Sequence, residues 1–342
     1  MKNIIEVQKK IIPQAIELME KRYAVLRQIA ISQPIGRRML ANVLNLSERT
    51  TRTEVDFLKS QKMIDISVSG MTLTEEGKEV LESLELVMGE VMGISDLEIK
   101  LRDLLGIKHV AISKNVNEDR SIIIKGVAEL AAKYLISTLA SDDIVAISGG
   151  STMRELATSI MEEYSFKDVT VLPTRGSVGS DIDIQANSVA AVLAKKLNSK
   201  VEFLYVPDEL EGEAKDVIMS IPDIMVTSQH LREADKMVFS FGCADLMARR
   251  RGTSEDDINQ LLNKGAIGEA FGHYFDKDGN IVMKLNTVGI DMNMYKNSKY
   301  PIAVFSGVEK VDAFMALYKL NKNITLITDE DSAKEILNKI NN

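Results

Sequence analysis

The residues best suited to chemistry form a short polar turn, Gly149-Gly150-Ser151-Thr152. It follows four apolar residues at 144–147, a pattern typical of a strand buried on both faces. After the turn, apolar residues recur at helical spacing. Such a turn lets backbone N–H groups at a helix start approach a phosphate, and the two hydroxyls can add donors. The same residues would also suit a plain connection in which glycine relieves strain and Ser151 caps the helix.

Cations follow other apolar runs of the chain. Arg175 and Lys310 each come shortly after a predicted strand, and Arg249-Arg250-Arg251 stands a little beyond a third. Two donor-rich turns with cations nearby would suit a ligand that has two anionic ends. For the three consecutive arginines, a solvated helix end is the alternative.

Alternating strands and helices must position these residues. Between the predicted strands the pattern mostly becomes helical, which indicates a parallel sheet covered by helices on both faces, with ligands bound beyond the carboxyl ends of its strands. The predicted strands are 109–113, 144–148, 169–173, 202–206, 237–241, 302–305 and 324–328. The predicted helices are 122–139, 184–197, 245–251, 310–320 and 332–340.

The first part of the chain has a different organisation. A helix over 13–32 precedes two short helices separated by a three-residue turn, which is the helix-turn-helix pattern. Alternating residues around Ser69-Gly70 predict a hairpin, so the whole indicates a winged helix. Its expected DNA contacts are Arg37, Arg38, Ser47, Arg49, Thr50, Arg52 and Thr53. A protein-binding winged helix is the alternative.

The charge distribution favours DNA. Residues 1–73 contain twelve basic and seven acidic residues, whereas the remainder contains thirty basic and forty-three acidic ones. A basic module on an acidic protein suggests a polyanionic partner for that module. A long helical stretch follows at 75–105, with Gly93 interrupting it. This stretch would be a linker helix with a dimer seam, or a helix packed on the next domain. We place the two domains at residues 1–92 and 93–342.

Composition excludes several classes of protein. Cys243 is the only cysteine and the chain has three histidines, so neither an internal disulfide nor a structural zinc site is expected. No apolar run is long enough to span a bilayer, and the N-terminus lacks a signal-peptide hydrophobic segment. We therefore expect a cytoplasmic protein with no metal, no cofactor and no membrane partner.

Taken together, these segments resemble the SorC/DeoR group of bacterial sugar-responsive repressors over nearly the whole chain. The residues that carry the resemblance are Pro34-Ile35-Gly36-Arg37-Arg38, the segment 71–77, Gly149-Gly150-Ser151-Thr152 and the segment 269–275. The resemblance implies an α/β protein: an N-terminal winged helix-turn-helix and a larger doubly wound parallel-sheet effector domain similar to sugar-phosphate isomerases and deaminases.

The resemblance also implies a ligand and its contacts. Fructose 1,6-bisphosphate would be the inducer, and residues 149–152 would hold one phosphate. Arg175, Arg250 and Lys310 would be phosphate cations, while Gln185 and Glu269 would bind sugar hydroxyls. The expected partners are operator DNA, the sugar phosphate and further copies of the chain in a dimer or tetramer.

Three functions compete on this evidence. The first is a repressor of a glycolytic operon that responds to a phosphorylated sugar. The second is a sugar-phosphate isomerase or deaminase fused to a DNA-binding head; beyond Glu269 and His273 the sequence offers no convergent acid–base pair, so no catalytic residue is expected. The third is a dinucleotide sensor, which the turn at residues 149–152 disfavours because it lacks the G-x-G-x-x-G spacing.

Overall fold

A computed structural model of the chain describes residues 7–8, 10–44, 46–91, 94–115, 119–160, 164–176, 181–207 and 212–341. It contains two compact units, Met1–Lys100 with Lys114–Gly126, and Leu101–Ser113 with Val127–Asn342. The predicted domain boundary falls at residues 92 and 93, as does the predicted interruption at Gly93, and both residues lie outside the described ones.

Among the described residues, the first unit contains helices and one hairpin. These elements are α1 (Pro13–Ser32), α2 (Arg37–Val43), α3 (Glu48–Ser60), β1 (Ile64–Ser67), β2 (Gly70–Leu73) and α4 (Glu75–Val91). Apolar side chains of α1 and α3 pack with Ile64 and Met71 of the hairpin in one core. This is the predicted winged helix, with one difference in the hairpin.

That difference is the position of the turn. Ser67 pairs with Gly70, so the turn residues are Val68 and Ser69 and the glycine begins the second strand. Gly70 has φ +136°, and a Cβ there would lie 2.9 Å from the backbone nitrogen of Ile35. The glycine therefore serves a close approach between backbones.

The second unit is built on a parallel sheet. In the described part of the chain this sheet has seven strands: β3 (His109–Ser113), β4 (Ile144–Ile147), β5 (Thr170–Pro173), β6 (Lys200–Val201), β7 (Lys236–Phe239), β12 (Pro301–Val304) and β13 (Thr325–Asp329). Their order in the sheet is β3-β13-β12-β7-β4-β5-β6, and every neighbouring pair is parallel. Val145, Ile147, Val238 and Val304 are fully buried, as residues of strands covered on both faces should be.

Helices alternate with these strands. They are α5 (Ile94–Leu105), α6 (Arg120–Thr138), α7 (Ser151–Ser159), α8 (Ala186–Leu197), α9 (Gly212–Met219), α10 (Pro222–Glu233), α11 (Ala244–Arg250), α12 (Glu255–Asn263), α13 (Met292–Asn297), α14 (Val311–Leu320) and α15 (Glu330–Asn341). The helices α9, α10, α12 and α13 were not predicted, whereas the alternation that defines the α/β class is confirmed.

One predicted strand is wrong. The strand beside β5 is Lys200–Val201, and residues 202–206 form no strand. The side chain of Asn187 accepts from the backbone N–H of Leu204 at 3.0 Å and donates to its carbonyl at 3.1 Å. These bonds satisfy the backbone of Leu204 without a strand partner.

A small antiparallel sheet, also not predicted, follows β7. Its strands are β8 (Gly242–Cys243), β9 (Gly268–Ala270), β10 (His273–Phe275) and β11 (Ile281–Lys284), and their order in the sheet is β11-β10-β9-β8. Strands of two to four residues are too short for alternation to be recognised in sequence. This sheet carries Glu269, one of the predicted site residues.

Candidate functional site

The carboxyl ends of the parallel strands bring most of the predicted ligand contacts to one edge of the large sheet. From β4 the chain continues outward to β5 and β6, then returns to β7 on the other side of β4. The order of strands therefore reverses between β4 and β7, and a crevice forms at such a point. The turn 148–152 follows β4 and the segment 240–242 follows β7.

A serine joins these two loops. The backbone N–H of Ser148 donates to the carbonyl of Val238 at 2.9 Å, and the N–H of Ser240 donates to the Ser148 hydroxyl at 3.1 Å. These bonds hold the glycine turn against the end of β7.

The glycines of the turn serve the backbone geometry first. Gly150 has φ +108°, precedes helix α7 and donates its N–H to the carbonyl of Ile184 at 2.8 Å. A Cβ on Gly149 would lie 2.6 Å from that same carbonyl oxygen. The N–H of Gly150 is therefore already bonded, which leaves the first turn of α7 and the hydroxyls of Ser151 and Thr152 to face an anion. Ser151 is exposed and Thr152 is buried.

Gln185 lies beside this turn. It is half-buried at the N-cap of α8, directly after Ile184, and its carbonyl carbon would be 3.3 Å from a Cβ on Gly149. The structure thus places Gln185 next to residues 149–152.

A second group of site residues forms a charged cluster. The carboxylate of Glu269 lies 3.2 Å from an Nη of Arg251 and 3.8 Å from an Nη of Arg175. The Glu269 side chain is only 4% exposed, and the two arginines keep 12% and 18% of their side-chain surface. Two guanidinium groups converge there on one buried carboxylate, an arrangement able to receive a phosphate in its place.

Arg175 is held by a neighbouring segment. It forms an isolated antiparallel bridge with Gly289, and the N–H of Ile290 donates to the Thr174 carbonyl at 2.7 Å. A Cβ on Gly289 would lie 2.2 Å from the same carbonyl oxygen. The glycine therefore permits the pairing that orients Arg175.

Two members of the cluster, Arg251 and Tyr274, were not predicted from the sequence. The predicted residue, Arg250, is the last residue of α11 and is exposed, whereas Arg251 at the C-cap turns towards Glu269. Tyr274 pairs with Glu269 across β9 and β10. Burial raises the pKa of Tyr274, against the opposing charge of Arg251, so its phenol stays neutral beside the carboxylate.

Lys310 lies in a turn after β12 that is stabilised by hydrogen bonds to Asp329. It ends a short 3₁₀ helix, Val308–Lys310, and is half-buried. The N–H of Gly307 donates to the Asp329 carboxylate at 2.9 Å, and the Ser332 hydroxyl donates to it at 2.7 Å. Burial alone would raise the pKa of Asp329, but hydrogen bonds from Ser332 and Gly307 outweigh it and hold that pKa below its ordinary range.

A hydrogen bond from Cys243 connects the small sheet with the same turn. The Cys243 thiol donates to the carbonyl of Glu309 at 3.2 Å, and Gly242, its neighbour in β8, pairs with Glu269 in β9. The Lys310 turn therefore lies beside the sheet that carries Glu269.

The predicted DNA contacts lie on the first unit around the start of α3. The Ser47 hydroxyl accepts the N–H of Thr50 at 3.0 Å and so caps this helix. Thr50 is half-buried; the exposed members of the set are Arg37, Arg38, Ser47, Arg49, Arg52 and Thr53. Arg38 with Glu48, and Arg52 with Asp56, form exposed pairs at 3.7 Å. Such pairs contribute little energy, so both arginines can turn to phosphates.

The described residues contain neither a candidate membrane span nor a candidate metal-binding cluster. No helix there is long and apolar enough to cross a membrane. No group of three or more histidine, cysteine or acidic side chains there could hold a metal ion.

Comparison with known proteins identifies both parts of the chain. Residues 18–88 match the family model of the CggR N-terminal DNA-binding domain, and residues 89–338 match that of a sugar-binding domain. The central glycolytic genes regulator of Priestia megaterium is 39% identical to this chain over 343 residues, and the alignment covers 100% of both proteins. The protein of the same name from Bacillus subtilis is 35% identical, over 98% of this chain and 99% of its own.

Solved structures agree with this fold. A SorC family transcriptional regulator from Enterococcus faecalis is 29% identical, with a TM-score of 0.64 over 71% of this chain and 99% of its own. The full-length sorbitol operon regulator SorC from Klebsiella pneumoniae is 18% identical, with a TM-score of 0.66 over 94% of this chain and 98% of its own. The chain therefore belongs to the family of the central glycolytic genes regulators: it is a transcriptional regulator with a DNA-binding domain and a sugar-binding domain.

Proposed function

We propose that the protein represses a glycolytic operon in the cytoplasm and that fructose 1,6-bisphosphate weakens its hold on operator DNA. Residues 1–92 would bind DNA and residues 93–342 would bind the effector. Two regulators that are similar to this chain over its whole length are named for glycolytic genes, which supports the choice of operon.

The observation that supports the choice of ligand is the presence, at one edge of the sheet, of two separate groups of residues whose chemistry suits an anion. One is the start of α7, with Gly149, Gly150, Ser151 and Thr152. The other is the pair of guanidinium groups that face Glu269. A sugar with a phosphate at each end would engage both elements, whereas a monophosphate would engage one. Arg250, Lys310 and Gln185 would add contacts, and Glu269 would accept sugar hydroxyls.

Regulation would follow from linkage between the two ligands. If the effector binds more tightly to a form that holds DNA poorly, DNA must weaken effector binding by the same factor. We propose that the chain acts as a dimer or tetramer, so that a change in subunit placement alters how paired DNA heads meet two half-sites.

A gel-shift titration tests the proposal. Fructose 1,6-bisphosphate should release the parent protein from DNA taken upstream of a glycolytic operon, and should release the control variant Lys264→Ala equally. The variant Lys310→Ala should bind DNA normally and need more effector for release. DNA binding that is unchanged at saturating effector would refute the effector assignment.

A second titration addresses the DNA surface. In Arg49→Ala, affinity for operator DNA should fall and the slope of log affinity against log salt should decrease by about one if the arginine contacts a phosphate. An unchanged affinity and slope would place the DNA contact on another face.

A further inference from the structure

A second cavity lies in the sugar-binding unit, between α10 and α13. Its volume is about 480 Å³, within the range of small-molecule sites. Its walls include Leu231 and Ser228 of α10 and Met294 of α13, and none of the predicted effector contacts lines it. We call it the α10–α13 cavity.

Part of the cavity lining is apolar, and we call this part the floor. Leu231, Met237 and Val288 are each at most 5% exposed, and Met219 and Met294 complete the surface. The flexible thioethers adapt their shape to an occupant, so the floor suits the C–H face of a small organic molecule.

Two hydroxyl groups in the wall lack partners. Within the described part of the chain, neither Ser228 Oγ nor Ser298 Oγ has a hydrogen-bond partner, and both atoms are shielded from solvent. Ser298 as a whole is 8% exposed. Buried polar atoms are nearly always bonded, and leaving one unbonded destabilises the protein. Both oxygens lie just beneath the cavity surface, and rotation about the Cα–Cβ bond would turn either hydroxyl towards an occupant with hydroxyl groups, which would supply the missing bond.

The charges around the cavity are mixed. Arg232 and Lys299 bring two positive charges, and Glu233, Asp235 and Asp291 bring three negative ones. A phosphate or a carboxylate would meet this excess of acidic groups. Uncharged hydroxyls can donate to carboxylates and accept from cations, so they fit both signs.

The cavity shares a wall with the candidate effector site. Val288 and Gly289 line it, and the same two residues pair with the segment that carries Arg175: Gly289 bridges Arg175, and the N–H of Gly176 donates to the Val288 carbonyl at 3.0 Å. An occupant would therefore touch the segment that orients Arg175.

We propose that the α10–α13 cavity binds a small uncharged polyhydroxy compound, a sugar or polyol without phosphate. This site is separate from the proposed fructose 1,6-bisphosphate site and does not depend on it. Through Gly289, its occupant biases the position of Arg175.

Saturation-transfer NMR on the full-length protein tests the site with glycerol, erythritol, sorbitol, glucose and fructose as probes. At least one probe should receive saturation at millimolar concentration. The variant Ser228→Leu fills the cavity and should abolish transfer, whereas Ser137→Leu, on the exposed face of α6, should leave it unchanged.

A second variant separates binding from folding. Because its hydroxyl has no described partner, Ser298→Ala should unfold at the same temperature as the parent or slightly higher. It should bind the best probe about two- to tenfold more weakly, as expected for one lost hydrogen bond.

Several results would overturn the proposal. The first is the absence of saturation transfer to every probe, and the second is saturation transfer that persists in Ser228→Leu. The third is a large loss of stability in Ser298→Ala, which would mean that the hydroxyl is bonded in the empty protein, to water for example. Stronger binding of fructose 6-phosphate than of fructose in the cavity would overturn the assignment of an uncharged ligand.

Discussion

Replacing Glu269 by glutamine tests the charged cluster most directly. The substitution preserves the shape of the side chain but removes the negative charge that lies 3.2 Å from Arg251 and 3.8 Å from Arg175. Removing one partner of a buried ion pair costs about 3–5 kcal/mol because the other charge stays buried. The arginines retain 12% and 18% exposure, so we expect the lower limit, a loss of about 3 kcal/mol in unfolding free energy without phosphate.

The lost stability should return when an anion binds. A ligand at about a hundred times its Kd stabilises a protein by about 2.7 kcal/mol, and the gain increases as the Kd falls. With its competing carboxylate gone, Glu269→Gln should bind phosphate more tightly than the parent. At equal ligand concentration, inorganic phosphate and fructose 1,6-bisphosphate should each stabilise the variant more than the parent, because the glutamine oxygen can still accept the sugar hydroxyls that we propose for Glu269.

Denaturant unfolding with and without each ligand measures both effects. The matched control is Glu255→Gln, which removes a carboxylate paired with Arg249 where both side chains are at least half exposed; it should cost at most about 1 kcal/mol. It also corrects for the general stabilisation that phosphate salts produce. The reasoning is refuted if Glu269→Gln is as stable as the parent without phosphate, or if the ligands stabilise it no more than the parent.

Three further substitutions test the elements that hold the two sites. Ser47→Ala removes the cap of the DNA-contacting helix and should cost about 1 kcal/mol in thermal unfolding, with weaker operator binding; equal melting would deny the cap. The folded-state pKa of Asp329 is depressed, so its contribution is complete above the ordinary value of 3.8 and is lost as pH falls below it. Asp329→Asn should therefore destabilise the protein at neutral pH in denaturant titrations, with a difference that shrinks below pH 3.8; a difference that stays constant with pH would mean that the charge of the carboxylate does not stabilise the turn. Gly149→Ala places a Cβ 2.6 Å from the Ile184 carbonyl oxygen and should cost about 1–3 kcal/mol and weaken effector binding in calorimetric titration, whereas unchanged values would mean that the turn can shift freely.

Patterns in the sequence predicted the large elements well, because each extends over enough residues to show a period. The four apolar residues at 144–147 and the glycines after them predicted a buried strand and a tight turn, and the structure has both. The winged helix and the parallel sheet are likewise confirmed.

The differences arise where long-range contacts decide the conformation. Nothing local distinguishes residues 202–206 from a strand; the bonds between Asn187 and Leu204, distant in sequence, hold them differently. Similarly, three consecutive arginines look alike in sequence. Only the end of α11 determines that Arg251 turns towards Glu269 while Arg250 faces solvent. The roles of the ligand-contacting residues stay predictions.

The position of Glu269 has a mechanical consequence. It belongs to the small antiparallel sheet, whereas Arg175 follows a strand of the large parallel sheet, so this ion pair links the two sheets in addition to the hydrogen bond between Cys243 and Glu309. An anion that binds Arg175 in place of Glu269 would remove this ionic link in the same step. Ligand binding would then weaken the contact between the two sheets directly.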